Sequence, residues 1–494
     1  MKKINEYLSN NKFEILIFYF LSFIYIFPRV LSNSDYNDDI FRSTTGDANW
    51  WYYNGRPLTV RLMHVFNQNV LMSDSTPLPV ILGMTFFVIC SLFLMKEFLQ
   101  GYGSATKTAL CSVFIINPFF ISNITYKYDC LPMCLALGLS IIASLIGRNK
   151  TNIFIEISRF FILISILCIY QAALSLIISL IAIDLCVRAL SGRIDIRLQI
   201  FRAITIVFSY GIYSKFIGPH YLRFIYIDMA QHIPLNHDGI LILKQNIKTT
   251  LSIIAHFYHG SLMRFCIISY AIIYALGFLY IGFKPRTENQ TNRWISLGAY
   301  ASGLCVIMLC TLGLTIFLKS PDIQPRVLLG TFGFILSAPL FLTCISRTST
   351  AQFLAVILCA LQIIPVLSLS FSFGNYLTQE NTHDSDTLKE IEFHLIHYPT
   401  NSQTKITFLN DNPATPSMVV KQTVHPLITN FMATQGFGKR YNWYSGGLLR
   451  YNSINYELDD SYQPADKFVP TVKTCHVLTS FVDNHVMVLF QLQC

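Results

Sequence analysis

The stretch from Ser34 to Arg61 reads SDYNDDIFRSTTGDANWWYYNGRPLTVR and lies between two long apolar segments. It gathers four aspartates, three arginines and a run of four aromatic residues into one short loop. Because its flanks are suited to lipid, such a cluster just outside a membrane span is either an anchoring surface or a reaction site. We interpret it as a reaction site, around which the rest of the chain is organised.

The composition is that of a chain that crosses a membrane many times. Of its 494 residues, 53% are hydrophobic and only 13% are charged, whereas soluble proteins carry roughly 25% charged residues. The net charge of +9 arises from lysines and arginines that recur in short links between apolar segments. Such links orient a membrane protein during insertion, so we predict membrane lipids as partners and no nucleic acid.

Apolar stretches of about 20 residues, the length that crosses a bilayer, recur along the chain. Single spans begin near Phe13, Leu78, Thr106, Cys130, Arg202, Ser261, Ile295, Val327 and Ala351. The region 153–187 is too long for one untilted helix, and Tyr170 and Gln171 at its middle predict a tight hairpin of two helices. This split keeps the arginines between 188 and 202 on the same side as the other basic links. We therefore predict an all-α polytopic membrane protein with about 11 transmembrane helices.

With that number of spans, the N-terminus and the basic links lie on the cytoplasmic side. The outer side then receives the following segments: loops 31–77 and 219–260, the turn around Asp129, the turn at 319–326, and the tail after about Phe373. Every unusual polar motif is thus predicted on the outer face.

The tail differs in composition from the rest of the chain. Segments 406–411 and 485–492 predict strands, and apolar spacing from Asp386 to His397 predicts a helix. We expect residues 1–372 to form the transmembrane domain and residues 373–494 a small α/β domain. Of thirteen cysteines, only Cys475 and Cys494 lie in polar sequence, where an oxidising compartment could pair them; the sequence leaves open whether they do.

Two adjacent acids in the first loop are the candidate catalytic residues. Neighbouring carboxylates such as Asp38 and Asp39 shift each other's pKa, which leaves one suited to accept a proton from an attacking hydroxyl. A helix cap or a solvated loop acid explains the pair equally well from the residues alone. Downstream, Pro57 predicts the start of an amphipathic helix along the membrane surface.

Cations and aromatic residues near the same face suit a lipid phosphate and a sugar, because arginine offers a bidentate fork and lysine a point charge. The candidate substrate-binding and lipid-phosphate-binding residues are Arg42, Arg56, Lys127, Asp129, Arg326, Trp51, Tyr170 and Gln171. For each cation or aromatic residue alone, anchoring at the membrane interface is the alternative explanation. His256 and His259 lack a nearby carboxylate ligand, so we predict no metal site.

Four motifs carry a resemblance to a known family: YNDDIFRS (36–43), WWYYNGRPL (50–58), TYKYD (125–129) and IYQAAL (169–174). Together with the predicted topology, they resemble the Gtr-type, GtrII-like glucosyltransferases that convert bacterial O-antigen serotype. These are similar in turn to the GT-C class of lipid-linked sugar transferases. The resemblance extends to about Phe373.

The resemblance implies an enzyme of the bacterial inner membrane with a cytoplasmic N-terminus and a periplasmic tail. It implies undecaprenyl-phosphate-glucose as donor, lipid-linked O-antigen as acceptor, a single inverting displacement, and no cofactor or metal. Asp38 then matches the base and Asp39 orients it or the sugar, while Arg56, Lys127 and Arg326 hold the lipid phosphate. The wider class often has Asp-Glu at this pair, so the division of labour between the two acids stays open.

Two alternatives remain at this point. A flippase or transporter of a lipid-linked sugar concentrates polar residues at mid-membrane in repeated halves, whereas this chain concentrates them in its outer loops. An O-antigen polymerase or ligase has similar transferase chemistry but takes a diphosphate-linked donor. The chain has no phosphate-loop, serine-hydrolase or zinc-protease motif, which argues against those three classes of protein.

Overall fold

The computed structural model describes residues 11–150, 152–285, 290–398, 404–433, 435–454, 456–459, 461–462 and 468–491. The first helices are α1 (Lys12–Ser32), α2 (Asp39–Thr45), α3 (Asn49–Tyr53), α4 (Pro57–Asn67), α5 (Leu78–Phe98), α6 (Ser104–Ile115), α7 (Ile121–Thr125), α8 (Cys130–Leu145), α9 (Ile153–Ile169), α10 (Leu174–Ser191) and α11 (Ile196–Ile212). They are followed by α12 (Gly218–Tyr221), α13 (Ile225–Met229), α14 (His237–Phe257), α15 (Ser261–Phe283), α16 (Arg293–Thr311), α17 (Thr331–Ile345), α18 (Ser349–Leu395), α19 (Pro416–Val424), α20 (Leu427–Phe431) and α21 (Asn442–Tyr451). The strands are β1 (Lys405–Phe408), β2 (Glu457–Leu458), β3 (Val472–Lys473), β4 (Val477–Val482) and β5 (His485–Phe490).

A helix lies at each of the eleven places where the sequence predicts a span. In the described part of the chain, seven helical segments are long and apolar enough to cross a membrane: those that contain α1, α5, α10, α11, α15, α16 and α18. Helices α6, α8 and α17 are apolar but shorter. The helical membrane architecture is therefore confirmed, while the number of eleven crossings stays a prediction.

The break predicted within 153–187 lies where the polar pair interrupts the apolar run. Helix α9 ends at Ile169, Tyr170 adopts an extended backbone (φ −157°, ψ 99°), and a 3₁₀ turn from Gln171 leads into α10. Both polar side chains make hydrogen bonds to other loops. The break thus turns two residues of a long apolar stretch toward the polar face of the molecule.

Most helices share one apolar core, and aromatic rings pack at its centre. Phe332 of α17 contacts Phe87 of α5 with ring centroids 5.6 Å apart, and it contacts Phe120 at 5.3 Å. Nearby, the Asn117 side chain donates a 3.0 Å hydrogen bond to the Thr331 hydroxyl. These contacts fix the 117–129 turn beside the start of α17, where two candidate site segments meet.

Far from the Tyr170 break, α10 carries a buried acid with three basic partners. Asp184 forms ion pairs with Arg148 at 2.7 Å and with Arg188 and Arg202 at 2.8 Å each. These arginines belong to the basic links that the sequence places on the cytoplasmic side. The charges of these links therefore meet near the end of α10 that lies away from the break.

Helix α18 is continuous over 47 residues and passes through position 373 without a break. At 1.5 Å per residue it is about 70 Å long, more than twice the roughly 30 Å hydrocarbon core of a bilayer. The separate helix predicted at 386–397 was wrong in its start, because that segment is the polar end of α18. The composition changes near Phe373 while the backbone stays helical, so no loop separates the two regions at this boundary.

The tail contains the predicted sheet, in the order β2-β1-β5-β4-β3. The two predicted strands are confirmed as β1 and β5, which pair in parallel with Ile406 opposite Val486. Cys475 is disulfide-bonded, and Cys494, its predicted partner, lies outside the described residues. The tail is therefore a small α/β unit.

The core of this unit reaches into the first loop. Ile40 of α2 is 1% exposed and packs with tail residues such as Leu449. Gly447 of α21 faces it so closely that an added Cβ would lie 3.0 Å from the Ile40 Cγ2. The tail thus packs directly on the helix that begins beside Asp38.

Candidate active site

Asp38 and Asp39 lie at the start of α2 in different surroundings. The Asp38 side chain is 45% exposed, and its Oδ2 lies 3.6 Å from Arg42 Nη2 one turn later. An exposed carboxylate beside a guanidinium is accessible to a substrate hydroxyl. Asp38 therefore has the geometry of an accessible proton acceptor.

Asp39 is fully buried and joins two loops. Its Oδ2 accepts backbone hydrogen bonds from Tyr36 at 3.2 Å and from Lys127 at 2.9 Å. Its Oδ1 is buried with no hydrogen-bond partner among the described residues. Burial raises the pKa of Asp39 to about 8, although the Arg29 charge and the Lys127 N–H oppose the rise. At neutral pH this side chain is mainly protonated and holds the loop in place.

Asp129 holds two arginines at the centre of the site. Its Oδ2 lies 2.8 Å from Arg42 Nη1, and its Oδ1 lies 3.7 Å from Arg56 Nη1. The indole N–H of Trp51 donates a 2.7 Å hydrogen bond to the same Oδ1. The Arg42 guanidinium also lies 4.5 Å from the centre of the Trp51 ring. Since Trp51 is 1% exposed, it positions charged neighbours instead of offering an open stacking face.

Arg56 is supported by the break between α9 and α10. Its Nε donates to Gln171 Oε1 at 3.2 Å, and its guanidinium lies 4.8 Å from the centre of the Tyr170 ring. Gln171 in turn donates to the Asn54 and Gly55 carbonyls. Gly55 has φ +71°, and an added Cβ would lie 2.6 Å from a tyrosine hydroxyl, so this tight turn requires glycine.

Arg326 approaches from the segment that precedes α17. Its guanidinium donates to the Tyr126 hydroxyl, lies 5.3 Å from the centre of that ring, and pairs with Asp322 at 2.8 Å. Its carbonyl accepts hydrogen bonds from Tyr170 and from the Asn123 side chain. The side chain is 21% exposed, compared with 4% for Arg42 and 17% for Arg56.

Lys127 forms ion pairs with two other aspartates. Its ammonium lies 3.0 Å from Asp35 and 2.7 Å from Asp74. Burial opposes its charge, yet Asp35 and Asp74 outweigh burial and raise the pKa of Lys127. Because two carboxylates already neutralise the ammonium, its contacts are those of a residue that ties loop segments together.

Sequence analysis missed three residues of the site. Tyr126 lies within the TYKYD motif and was available to it, and Asn123 lies three residues earlier. No sequence pattern identified Tyr226 of α13 as a site residue, because only the fold brings the 219–260 loop next to the first loop. Burial and the charge of Asp38 raise the pKa of Tyr226, while Arg56, Arg42 and Arg326 oppose the rise. Tyr226 is therefore within electrostatic range of the same charged cluster.

The 219–260 loop is itself mainly helical, and its histidines have other partners. His256 bonds to the Asn430 side chain at 2.6 Å, and His259 bonds to the His256 carbonyl at 2.9 Å. Among the residues that the structure describes, no three His, Cys, Asp or Glu side chains are grouped to hold a metal ion.

The site described here lies within a stretch that matches a known family. The sequence profile of the family described as "Glucosyl transferase GtrII" matches residues 27–338, which is more than half of the chain. The chain belongs to the GtrII glucosyltransferase family. The match spans every site residue from Asp38 to Arg326 and confirms the resemblance drawn from the motifs. As a GtrII family member the protein is a glycosyltransferase, which takes a sugar donor and a glycan acceptor.

One relative of this GtrII family member comes from a bacteriophage. It is an uncharacterised 55.3 kDa protein in the gtrB 5′ region of Salmonella phage P22, 29% identical over 337 residues. The alignment covers 66% of this chain and 67% of that protein. No solved structure matches the chain.

Proposed function

We propose that this enzyme transfers glucose from undecaprenyl-phosphate-glucose to a sugar of lipid-linked O-antigen on the periplasmic face of the bacterial inner membrane. The observation that carries the proposal is the accessible carboxylate of Asp38 beside a cluster of three arginines, Arg42, Arg56 and Arg326. The donor and acceptor follow from the resemblance to serotype-converting enzymes. This geometry supplies what such a transfer needs, a base and a site for phosphate.

The arginines suit the phosphate of the donor because their positions are fixed in advance. Asp129 and Trp51 hold Arg42, while Gln171 and Tyr170 support Arg56. Pre-positioned cations stabilise developing negative charge without reorganising during the reaction. Arg326 and Arg56 are the more exposed of the three, so we assign them to binding the phosphate. We assign Arg42 to positioning the Asp38 carboxylate.

The proposed reaction is one displacement at the anomeric carbon of glucose. The acceptor hydroxyl oxygen bonds to that carbon from the face opposite the phosphate, and its proton passes to Asp38. The bond between the carbon and the phosphate oxygen breaks, and its electron pair stays on the phosphate. The leaving phosphate is already anionic, so it needs stabilisation of charge, which the arginines provide, more than it needs a proton. The configuration at the anomeric carbon inverts.

The distribution of charge supports a periplasmic site. The candidate site gathers loops at one end of the helices, while the Asp184 cluster gathers the basic residues of links toward the other end of α10. Basic links favour the cytoplasmic side. We therefore place the arginine site on the opposite side of the membrane.

The test is transfer in proteoliposomes that contain radiolabelled undecaprenyl-phosphate-glucose and lipid-linked O-antigen repeats. We expect the wild type to label the acceptor with inverted configuration. Arg326→Gln should raise the KM for the donor at least tenfold, because it removes a cation from the phosphate. Arg61→Gln, an exposed arginine of the same loop, should leave that KM unchanged.

The same assay separates the alternatives. Unlabelled undecaprenyl-phosphate sugars should compete with the labelled donor, whereas diphosphate-linked sugars should not. Movement of labelled lipid across the vesicle membrane with no transfer to acceptor would contradict the proposal and favour a flippase. Competition by diphosphate-linked donors alone would favour a polymerase or ligase.

A further inference from the structure

A cavity lies apart from the cluster of Arg42, Arg56 and Arg326, between the polar end of α18 and the tail. Its volume is about 560 Å³, within the range of roughly 300–1,000 Å³ that is typical of ligand sites. Glu380 and Asp384, one helical turn apart on α18, form one wall, and Asn412 and Tyr441 lie among the tail residues that line it. None of these residues takes part in the proposed transfer chemistry.

The acidic wall contains buried oxygen atoms that lack partners. Asp384 is 4% exposed, and its Oδ1 accepts a 3.0 Å hydrogen bond from the Asn412 side chain. The Asp384 Oδ2 and the Asn412 Oδ1 are buried with no hydrogen-bond partner among the described residues. Leaving buried acceptors unpaired costs free energy, so these two atoms indicate a ligand that donates hydrogen bonds.

The chemistry of the cavity favours a saccharide. Sugar hydroxyls donate to carboxylate and amide oxygens, and the half-buried ring of Tyr441 offers an apolar face to the C–H side of a sugar ring. Arg440 also lines the cavity, but it is paired with Asp411 at 3.6 Å, so the wall disfavours an anionic ligand. Calcium takes six to eight oxygen ligands, whereas no three His, Cys, Asp or Glu side chains of the described chain form a metal-binding group.

One side chain connects this cavity to the loop that bears Asp38. Gln435 lines the cavity, its Oε1 accepts a 3.1 Å hydrogen bond from the Asn37 backbone, and its Nε2 donates to Glu380 at 3.2 Å. Asn37 also donates to the Tyr126 hydroxyl at 3.1 Å, and Tyr126 contacts Arg326. The cavity wall and the arginine site are therefore fixed relative to each other through Asn37.

We propose that this cavity is the acceptor subsite, where a saccharide of the acceptor glycan binds through Glu380, Asp384 and Asn412 while its reactive hydroxyl reaches Asp38. The inference rests on the proposed function in that the acceptor is an O-antigen glycan. It assigns recognition of the acceptor to the junction of α18 and the tail, and recognition of the donor to the arginines.

The test measures binding apart from transfer. The probe is a panel of purified bacterial O-antigen polysaccharides, presented as an array to the full-length protein in nanodiscs. We expect the wild type to bind at least one member, and Asp384→Asn to bind it at least tenfold more weakly, because an amide N–H₂ replaces a carboxylate oxygen of a residue that lines the cavity. Asp386→Asn, an exposed position on the same helix, is the matched control and should bind like the wild type.

Kinetics then separate this inference from the proposed donor chemistry. Asp384→Asn should raise the KM for the acceptor and leave the KM for the donor unchanged, while Asp38→Asn should bind the polysaccharide normally. Saccharide binding that depends on Asp384 without any transfer would preserve the subsite and contradict the proposed donor. Transfer with an unchanged acceptor KM in Asp384→Asn, no binding of any panel member by the wild type, or calcium binding that this variant abolishes would overturn the subsite.

Discussion

At the scale of single residues, two adjacent acids of one type acquire different properties from their surroundings. Asp38 is accessible beside Arg42, whereas Asp39 is enclosed and bonded to two backbone N–H groups. Burial disfavours the charged form of a carboxyl group. The surroundings of each aspartate, and not the Asp-Asp motif itself, therefore decide which one can act as a base and which one is structural. We assign the base to Asp38 on this ground.

The raised pKa of Asp39 predicts a pH dependence of stability. Its folded pKa of about 8 exceeds the usual value of about 3.9. Between those values the folded protein keeps a proton that the unfolded chain releases, so stability should fall as pH rises through this window. Asp39→Asn keeps a carbonyl oxygen for the two N–H groups and has no proton to release.

Thermal unfolding in detergent between pH 5 and pH 8 checks this expectation. The fall in Tm with rising pH should be smaller in Asp39→Asn than in the wild type. Asp47→Asn, in the same loop, should keep the wild-type slope. An equal slope in Asp39→Asn and the wild type would mean that Asp39 is ionised in the folded protein.

At the scale of elements, the packing of α21 on α2 makes the tail part of the active site. Ile40, two residues before Arg42 in α2, lies in the tail core. The position of α2 therefore depends on tail residues more than 400 positions later in the chain. From the sequence, the tail was predicted only to lie on the same outer face as the other outer loops. The packing gives it a role, which is to hold the helix that begins beside Asp38.

Ile40→Ala tests that coupling. Removing a buried isoleucine side chain costs about 2–5 kcal/mol, and here it opens a gap between α2 and α21. We expect faster trypsin cleavage within the tail and a lower transfer rate, although Asp38 and the arginines are unchanged. Val65→Ala, at an exposed position of α4, should alter neither. Wild-type cleavage and transfer in Ile40→Ala would show that the tail does not position α2.

At the scale of the whole molecule, the helices separate the polar features of the chain into two groups. The loops that carry Asp38, Asp129, Tyr170 and Arg326 contact one another, and the basic residues around Asp184 form a distinct cluster. We therefore expect the two groups to face opposite sides of the membrane.

Labelling of single cysteines in spheroplasts tests this arrangement. In a background where the exposed Cys305 is replaced by serine, Leu235→Cys should react with a membrane-impermeant maleimide. Arg193→Cys, in the link after α10, should react only after the membrane is permeabilised. The reverse pattern would place the arginine site in the cytoplasm.

Local features of the fold and the site followed from the sequence. Runs of about 20 apolar residues predicted the helices, Pro57 predicted the start of α4, and the polar pair at 170–171 predicted the break after α9. Asp38, Arg42 and Asp129 were identified because short motifs concentrate them. The predictions of helices, of the helix start and of the break succeeded because the physical cause of each lies within a few residues.

Features that depend on distant contacts did not follow from the sequence. The pairing of Lys127 with Asp35 and Asp74 requires three loop segments to meet, and no local pattern encodes it. The bridge formed by Gln435 joins positions about 400 residues apart along the chain. The continuity of α18 was missed because a change in composition indicates where the chain passes from lipid to water. It does not indicate whether the helix ends there.

The measurement that tests the central claim most directly compares Asp38→Asn and Asp39→Asn in one single-turnover transfer assay, with the Tm of each variant recorded. Loss of a general base slows a reaction by about 10²–10⁴-fold, so Asp38→Asn should transfer glucose that much more slowly at an unchanged Tm. Asp39→Asn should transfer at nearly the wild-type rate, because its amide replaces a protonated carboxyl group. Wild-type transfer by Asp38→Asn, or loss of transfer in a folded Asp39→Asn alone, would contradict the account.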